Sequence, residues 1–256
     1  MCHDISFSAT TVELVTKYLP DLQWDQQSEI DFQFTDHVLS MSHRKAITLL
    51  NPDGQPKMDF FEWGLIAPYM NTPEKVKQYR IQMANARSEK LLDKAAAWYR
   101  LRSQRCLIAV DGFYEHRSIP GWKNKVPYFI HLQSEAPLLL PSLYNYSPLA
   151  NPETGELPGT FSVLTRSANS LLQQIHNDGP NKHRMPVLMQ PEEALNWLKT
   201  DLSDAELQDF VNYEIASTAL SAWPVFTIRT TKARPDGHLS KHEPFEWPNL
   251  PALEMA

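Results

Sequence analysis

Met1-Cys2 puts a cysteine where removal of the first residue would leave an α-amine and a thiol on one residue. That pair can attack an aldehyde twice. Nitrogen adds first to give an imine, and sulfur then closes a five-membered thiazolidine ring. In unperturbed surroundings the two groups titrate at roughly 8 and 8.5, so each is partly nucleophilic at neutral pH. On its own, a cysteine at the second position is equally what a frayed terminus would carry without function. The other cysteine, Cys106, lies inside an apolar, β-prone run and reads as core.

Other polar groups gather in separate segments. Trp63-Gly-Leu-Ile66 is followed by Asn85-Ala-Arg87. Asp111-Gly-Phe-Tyr-Glu115 ends an apolar run in a carboxylate. Thr165 and Ala168-Asn169 precede Ile175-His176, and Arg184-Met-Pro186 comes after a stretch holding His183. Each has a plain structural reading: a loop, a solvated strand edge, or a histidine suited to a helix end. No GxGxxG, phosphate-binding loop, HExxH or Cys/His metal spacing occurs, so neither a metal nor a cofactor is expected.

The elements that must position these groups follow from pattern. Thr10-Thr-Val-Glu13 predicts a capping box opening a helix with Val12, Val15 and Leu19 on one face. Strands are predicted at 45–50 and 58–66 around the turn Asn51-Pro-Asp-Gly54. Further strands are predicted at 106–114, 126–132, 138–146, 161–165 and 225–229. Ser88 predicts a helix through 101, and shorter helices follow at 168–175, 191–198 and from the capping box Ser203-Asp-Ala-Glu206. Strands and helices do not alternate as βαβ, which excludes a doubly wound parallel sheet and favours a single α+β domain with a mixed, curved sheet.

Composition sets the class. The chain has 256 residues, 42% apolar and 21% charged, with 20 Pro, 8 Gly and 2 Cys. This is enough to bury a substantial core, and the two cysteines make no disulfide framework. No apolar run approaches a membrane span, and Asp4, Glu13 and Lys17 interrupt any signal-like segment. The expectation is a soluble cytoplasmic monomer. Net charge is −6, yet Lys75, Lys77, Arg80, Arg87, Lys90, Lys94, Arg100, Arg102 and Arg105 face only Glu74, Glu89 and Asp93 between 74 and 106. Such a stretch is either a polyanion-binding face or a solvated one.

Taken in order, the segments from Cys2 to Arg184-Met-Pro186 resemble the SOS response-associated peptidase (SRAP) family, over residues 2–190. The resemblance implies one β-rich α+β domain over 1–230, with a mixed, strongly curved, barrel-like sheet and flanking short helices. An irregular, Pro-rich tail at 231–256 is expected to pack on it. It implies an abasic-site sensor of the DNA damage response. The N-terminal Cys crosslinks as a thiazolidine to abasic sites in single-stranded DNA, with an AP-lyase-like side activity and nucleoid association when bound. It further implies Cys2 as the crosslinking residue, Asn85 to position it, Glu115 as the catalytic carboxylate and His176 as the catalytic histidine. His183, beside Arg184, is the alternative. Arg87 and Arg184 are implied to hold phosphate, with Thr165 and Trp63 also on the DNA side; for Trp63, core packing is the competing reading.

The residue types suit such a reaction. A carboxylate of tuned pKa can move protons during imine formation, and a histidine can protonate the sugar ring oxygen to keep the aldehyde open. Arginines grip phosphates bidentately, and an indole can stack on a base. Two positions differ from the family pattern. Cys2-His3-Asp4 stands where Cys-Gly-Arg is usual, and His116 follows Glu115 where a Trp is common. Two other functions fit parts of the pattern. An N-terminal-nucleophile Cys amidotransferase would need Gly-rich loops that this chain lacks, and a non-catalytic single-stranded DNA-binding module would leave Cys2 without a role.

Overall fold

The computed structural model describes residues 2–23, 32–134, 136–238 and 240–254. Its strands form two sheets. The first is built from Lys45–Leu50 (β3), Lys57–Trp63 (β4), Arg105–Val110 (β6), Leu138–Tyr146 (β9) and Gly159–Ser167 (β10). β3 pairs antiparallel with β4 and β6, β6 with β9, and β9 with β10; β10 then returns parallel to β4. The path closes on itself, which is the mixed, strongly curved sheet expected from sequence.

β10 is longer than the ring needs, and its second half carries the site. Past the ring, Val163–Thr165 pair parallel with Asn85–Arg87 (β5), and Thr165–Ser167 pair antiparallel with Arg184–Pro186 (β11). One strand thereby aligns three of the sequence segments singled out above.

The second sheet runs Leu220–Pro224 (β12), Val126–Leu132 (β8), Gly112–Arg117 (β7), Asp4–Phe7 (β1) and Thr35–Leu39 (β2), all neighbours antiparallel. The run predicted as one strand at 106–114 is therefore two. It breaks at Asp111, whose N–H donates to Ser6 O at 2.8 Å and whose carboxylate accepts from Ser8 Oγ at 3.2 Å and from the Thr11 hydroxyl. That junction passes the chain from the ring to the second sheet. Gly112 permits the close approach there, because a Cβ would sit 2.5 Å from Ile130 O and from the Phe129 ring.

The helices are short. Ala9–Tyr18 (α1) starts at Ser8 rather than at Thr10, because Ser8 N finds Thr11 Oγ1 at 2.9 Å and Asp111 takes both hydroxyls. Pro73–Tyr79 (α2), Ser170–Ile175 (α3), Pro191–Asn196 (α4) and Asp204–Asn212 (α5) follow. α5 opens with the predicted box: Ser203 N donates to the Glu206 carboxylate at 2.8 Å and Glu206 N to Ser203 Oγ at 3.3 Å.

The helix predicted over 88–101 does not form; only 3₁₀ turns at Ser88–Lys90 and Ala97–Leu101 remain. Asp93 interrupts it by accepting Ala95 N at 3.0 Å and Lys90 Nζ at 2.8 Å, a local competition that Asp offers to helical backbone. The strand predicted at 225–229 is also corrected: the last strand is β12 at 220–224, fixed by its pairing with β8, while Val225 makes only an isolated bridge to Pro244.

Beyond β12 the chain is irregular yet fastened. Trp247 Nε1 donates to Val225 O at 3.0 Å, Arg117 donates to Pro251 O at 2.6 Å, and Gln174 and Glu254 exchange two hydrogen bonds of 2.8 and 2.7 Å. The core joins both sheets through Ile5, Phe7, Ile47, Leu49, Trp63, Leu107, Phe113, Phe161 and Leu172, all fully buried. Among the described residues no helix is long and apolar enough to cross a membrane.

Candidate active site at the end of the central strand

Cys2 stands two residues ahead of Asp4, the first residue of β1, which is flanked on both sides by paired strands. This is not a frayed terminus. The residue is fully buried, and its carbonyl accepts a hydrogen bond from Asn85 Nδ2 at 2.8 Å. Asn85 is held in turn by β5 against β10, and Trp63 Nε1 donates to the preceding carbonyl, Ala84 O, at 2.8 Å. Burial pushes the Cys2 thiol well above its usual range, and the negative charges of Glu115 and Asp4 push the same way.

Glu115 arrives on β7, the strand beside β1. It is 5% exposed, and its pKa is raised to about 8, first by burial and further by Asp4, against the opposing charge of Arg229. At neutral pH the group is mostly a carboxylic acid, a proton donor. The adjacent His116 is pushed down to about 4, chiefly by burial.

His176 caps the end of α3. Asn169 starts that helix by accepting Leu172 N at 3.0 Å, and its amide donates to Ile215 O at 3.2 Å. The imidazole Nδ1 lies 2.7 Å from Arg184 O, which accepts, so Nδ1 carries the proton and Nε2 the acceptor lone pair. Burial lowers the His176 pKa to about 4, outweighing the bond to Arg184 O. Next in sequence, Asn177 pairs both ways with Ser118 backbone, at 2.8 and 3.0 Å. This clamp ties the residue after His176 to the end of the Glu115 strand. Glu115 and His176 thus have pKa values driven in opposite directions, the pattern that separates an acid from a base.

His183 is placed otherwise. Its side chain is exposed and its backbone is left-handed, with φ 59°. Its N–H donates to His176 O at 2.7 Å and its carbonyl accepts Ala168 N at 2.9 Å. The stretch between the two histidines folds outward from this pinched neck.

The residues expected on the DNA side divide. Arg87 is exposed at the end of β5, with Asn181 Oδ1 at 3.4 Å. Arg184 is 11% exposed and already occupied: it grips the Glu89 carboxylate at 2.6 and 3.0 Å and donates to Thr165 O at 2.7 Å. Thr165 is fully buried and bonds Ala86 O at 3.2 Å, so it braces β5 and Arg184 and has no face for DNA. Trp63 is also fully buried, stacked on Phe161 with ring centroids 5.9 Å apart. Base stacking by Trp63 is corrected to core packing, because the indole N–H needs the Ala84 carbonyl and the ring has no exposed face.

Three residues of the basic stretch are taken up within the fold. Arg105 is buried and donates to Trp197 O and Thr200 O at 3.0 and 3.2 Å, Arg80 pairs with Glu62 at 2.6 Å, and Arg102 with Asp204 at 3.3 Å. Lys75, Lys77, Arg87, Lys90, Lys94 and Arg100 are exposed, Lys90 in an ion pair with Asp93 at 2.8 Å.

One group was missed from sequence. Asp4, 2% exposed, accepts Arg229 Nε at 3.0 Å and Nη2 at 2.5 Å, and His37 Nε2 lies 2.8 Å away. The available signal was Asp4 itself, since a carboxylate in a central strand requires a cationic partner. Among the described residues no group of three or more His, Cys, Asp or Glu is arranged to hold a metal ion.

Comparison with known proteins agrees with this geometry. The family model described as SOS response associated peptidase (SRAP) matches residues 1–228. The abasic site processing protein YoqW of Bacillus subtilis is 30% identical over 165 residues, covering 64% of this chain and 66% of YoqW. YobE of the same organism is 30% identical over 64% of this chain and 68% of its own. The chicken (Gallus gallus) abasic site processing protein HMCES is 27% identical over 53% of this chain and 43% of its own length. The chain thus spans about two thirds of the bacterial relatives and less than half of the avian one. A crystal structure from Bacteroides thetaiotaomicron superposes with a TM-score of 0.75 at 26% identity, covering 88% of this chain and 92% of that one. One from Bordetella bronchiseptica, at 20% identity and a TM-score of 0.69, shares the fold. With a family model covering nearly its whole length and a buried Cys2, Asn85, Glu115 and His176 set in the matching segments, the chain belongs to the SOS response-associated peptidase family.

Proposed function

We propose that this protein processes abasic sites by forming a thiazolidine between Cys2 and the ring-opened sugar in single-stranded DNA. The observation that carries this reading is the seating of Cys2. It lies at the end of a central strand, its carbonyl is held by Asn85, and a protonated carboxyl stands on the neighbouring strand.

The first step is hydrolysis of the Met1–Cys2 peptide bond, which frees the α-amine. In the closed sugar, His176 Nε2 accepts the proton of the C1′ hydroxyl while Glu115 donates one to O4′, so the ring opens to an aldehyde. This reverses the role expected for the histidine from sequence. A ring whose pKa lies at about 4 is neutral at pH 7 and accepts protons; Glu115, raised to about 8, gives them. The amine adds to C1′; its N–H proton returns to Glu115 and the alkoxide takes the proton held by His176, giving a neutral carbinolamine. Glu115 protonates the departing hydroxyl, water leaves, and the iminium N–H proton goes back to Glu115, so an imine remains. The Cys2 sulfur adds to the imine carbon and the thiol proton passes to nitrogen, closing the ring. Holding the thiol protonated by burial until this step suppresses side reactions of a reactive thiolate. Arg87, exposed at the end of the strand that begins with Asn85, supplies an arginine for a DNA phosphate. Arg184 serves by holding Glu89 and Thr165 and by fixing, through its carbonyl, the His176 tautomer.

The test uses protein lacking Met1 and a single strand with one natural abasic site. A heat-stable, protease-sensitive shifted band is expected. If the protein binds the strand without such a band, the non-catalytic module is the correct reading. Glutamine hydrolysis in place of a band would mark an amidotransferase.

A further inference from the structure

We infer that Arg229, which lies just past the residues matched by the family model, is a DNA-phosphate ligand of this site, held in place by Asp4. The inference rests on the reading above and adds a residue to it.

The argument begins with Asp4. This carboxylate is 2% exposed and two residues from the reacting cysteine. Left alone, it would repel an approaching polyanion from the mouth of the site. Arg229 answers it from the far end of the chain, through Nε at 3.0 Å and Nη2 at 2.5 Å. A guanidinium has five N–H donors in a planar fork, and this pairing uses the Nε–Nη2 edge. Among the described residues Nη1 makes no hydrogen bond, and the Arg229 side chain is 48% exposed. The Asp4 side of the fork is thus anchored while another edge faces solvent, the arrangement that orients an arginine toward a phosphate.

The backbone beneath Arg229 is fixed as well. Ile228 is buried, and its carbonyl accepts Lys241 Nζ at 2.9 Å. Lys241 N and Ser240 Oγ are both held by the Asp36 carboxylate, at 2.6 and 3.1 Å. His37, next to Asp36 on β2, takes the second place on Asp4. The segment after β12 is therefore locked onto β2 and β1 so that its arginine stands over the Cys2 strand. Its charge also bears on Glu115, so the guanidinium lies close enough to be felt at the proton donor. A purely structural ion pair would need no exposed edge. A phosphate ligand would need one, together with rigidity and nearness to the nucleophile, and Arg229 has all three.

The experiment measures binding to a short single strand carrying a tetrahydrofuran abasic analogue, which cannot crosslink, as a function of salt. Arg229→Ala should lower the log–log salt slope by about 0.7, the share of one phosphate on a single strand. Because that variant also strands a buried carboxylate, the decisive protein is Asp4→Asn/Arg229→Ala, in which the charge at Asp4 is removed too. It should show the same reduced slope and weaker affinity, whereas Asp4→Asn alone should keep the wild-type slope or steepen it. Recovery of the full wild-type slope in the double variant would overturn the inference, leaving Arg229 as a counter-ion only. The two readings fail separately. Wild-type protein that binds the analogue with the expected Arg229 effect but gives no adduct on a natural abasic site sinks the crosslinking reading alone. Wild-type protein that does not bind the analogue sinks both.

Discussion

Cys2 and Cys106 are both free, fully buried thiols, and burial raises the pKa of each well above the usual range. What differs is their company. Cys106 lies mid-strand in the closed ring, paired in register with Ser142, and burial is the one influence acting on its thiol. Cys2 lies where a strand of the second sheet begins, with Glu115 and Asp4 acting on it and Asn85 holding its carbonyl. Burial by itself therefore does not distinguish a structural thiol from the one proposed to react. Titratable neighbours and a position at a strand end, where a small excision exposes the residue, do.

The sharpest way to break this contrast is to exchange the two outcomes. Cys2→Ala should abolish the heat-stable adduct, and Cys106→Ala should leave it intact. Adduct surviving in the first protein, or vanishing in a folded second one, would erase the distinction.

The contrast sharpens when the neighbours are removed instead of the thiol. Glu115→Gln and His176→Ala should each slow crosslinking by about 10²-fold, the scale of general acid–base catalysis. Together they should cost less than the product of the two, since both serve one proton pathway. The sign of the pH effect follows from Glu115. Its acid form, which donates, is lost as pH rises through about 8, so the wild-type rate should gain a falling limb there. Stopped-time gel assays across that range should find the limb absent in Glu115→Gln. Stability should share the dependence. The folded state keeps the Glu115 proton above the pKa of the unfolded carboxyl, so wild-type stability declines as pH climbs from about 4.5 to about 8. Denaturant titrations should show that decline reduced in the Gln variant.

A smaller effect is expected outside the acid–base pair. Arg87→Ala should reduce the single-strand salt slope by about 0.7 without changing base preference, checked by anisotropy titrations at several salt concentrations. Smallest of all, His183→Ala should leave the crosslinking rate within about twofold, because its exposed side chain stands at the outer side of the neck, where its backbone and not its ring makes the contacts to His176 and Ala168. An inactive His183 variant beside an active His176 variant would transfer the base to the other side of the loop.

Local pattern made some of this legible. The strands at 45–50, 126–132 and 138–146 were predicted with these bounds, because β-branched and aromatic runs between turn residues carry that information. The Ser203 box was legible for the same reason. Closure of the ring was not, since the parallel pairing of Thr160 and Phe161 with Glu62 and Trp63 joins segments far apart in sequence and leaves no local trace. The helix over 88–101 misled because its apolar spacing is sound, while a single Asp93 offers the backbone a better local partner. Charge counting overstated the free charge of the basic stretch by three: Arg80, Arg102 and Arg105 are absorbed by carbonyls and carboxylates that only the fold brings near. At the site, the residue types of the proposed reaction could be named in advance, but the opposite pKa shifts of Glu115 and His176 could not. Those shifts are set chiefly by burial, which is not visible in a string of letters.

The neck between His176 and His183 has a practical consequence. The excursion is sealed at its base by His183 N on His176 O and by Ala168 N on His183 O, while Asn177 is stapled to Ser118. Beyond the neck, a Cβ at Gly179 would meet nothing within 4 Å, but its φ of 101° disfavours any side chain, so additions belong beside the glycine and not in its place. A fluorophore, an affinity handle or a surface tether inserted beside Gly179, and kept clear of Asn181 and its bond to Arg87, would report on the proposed adduct as it forms.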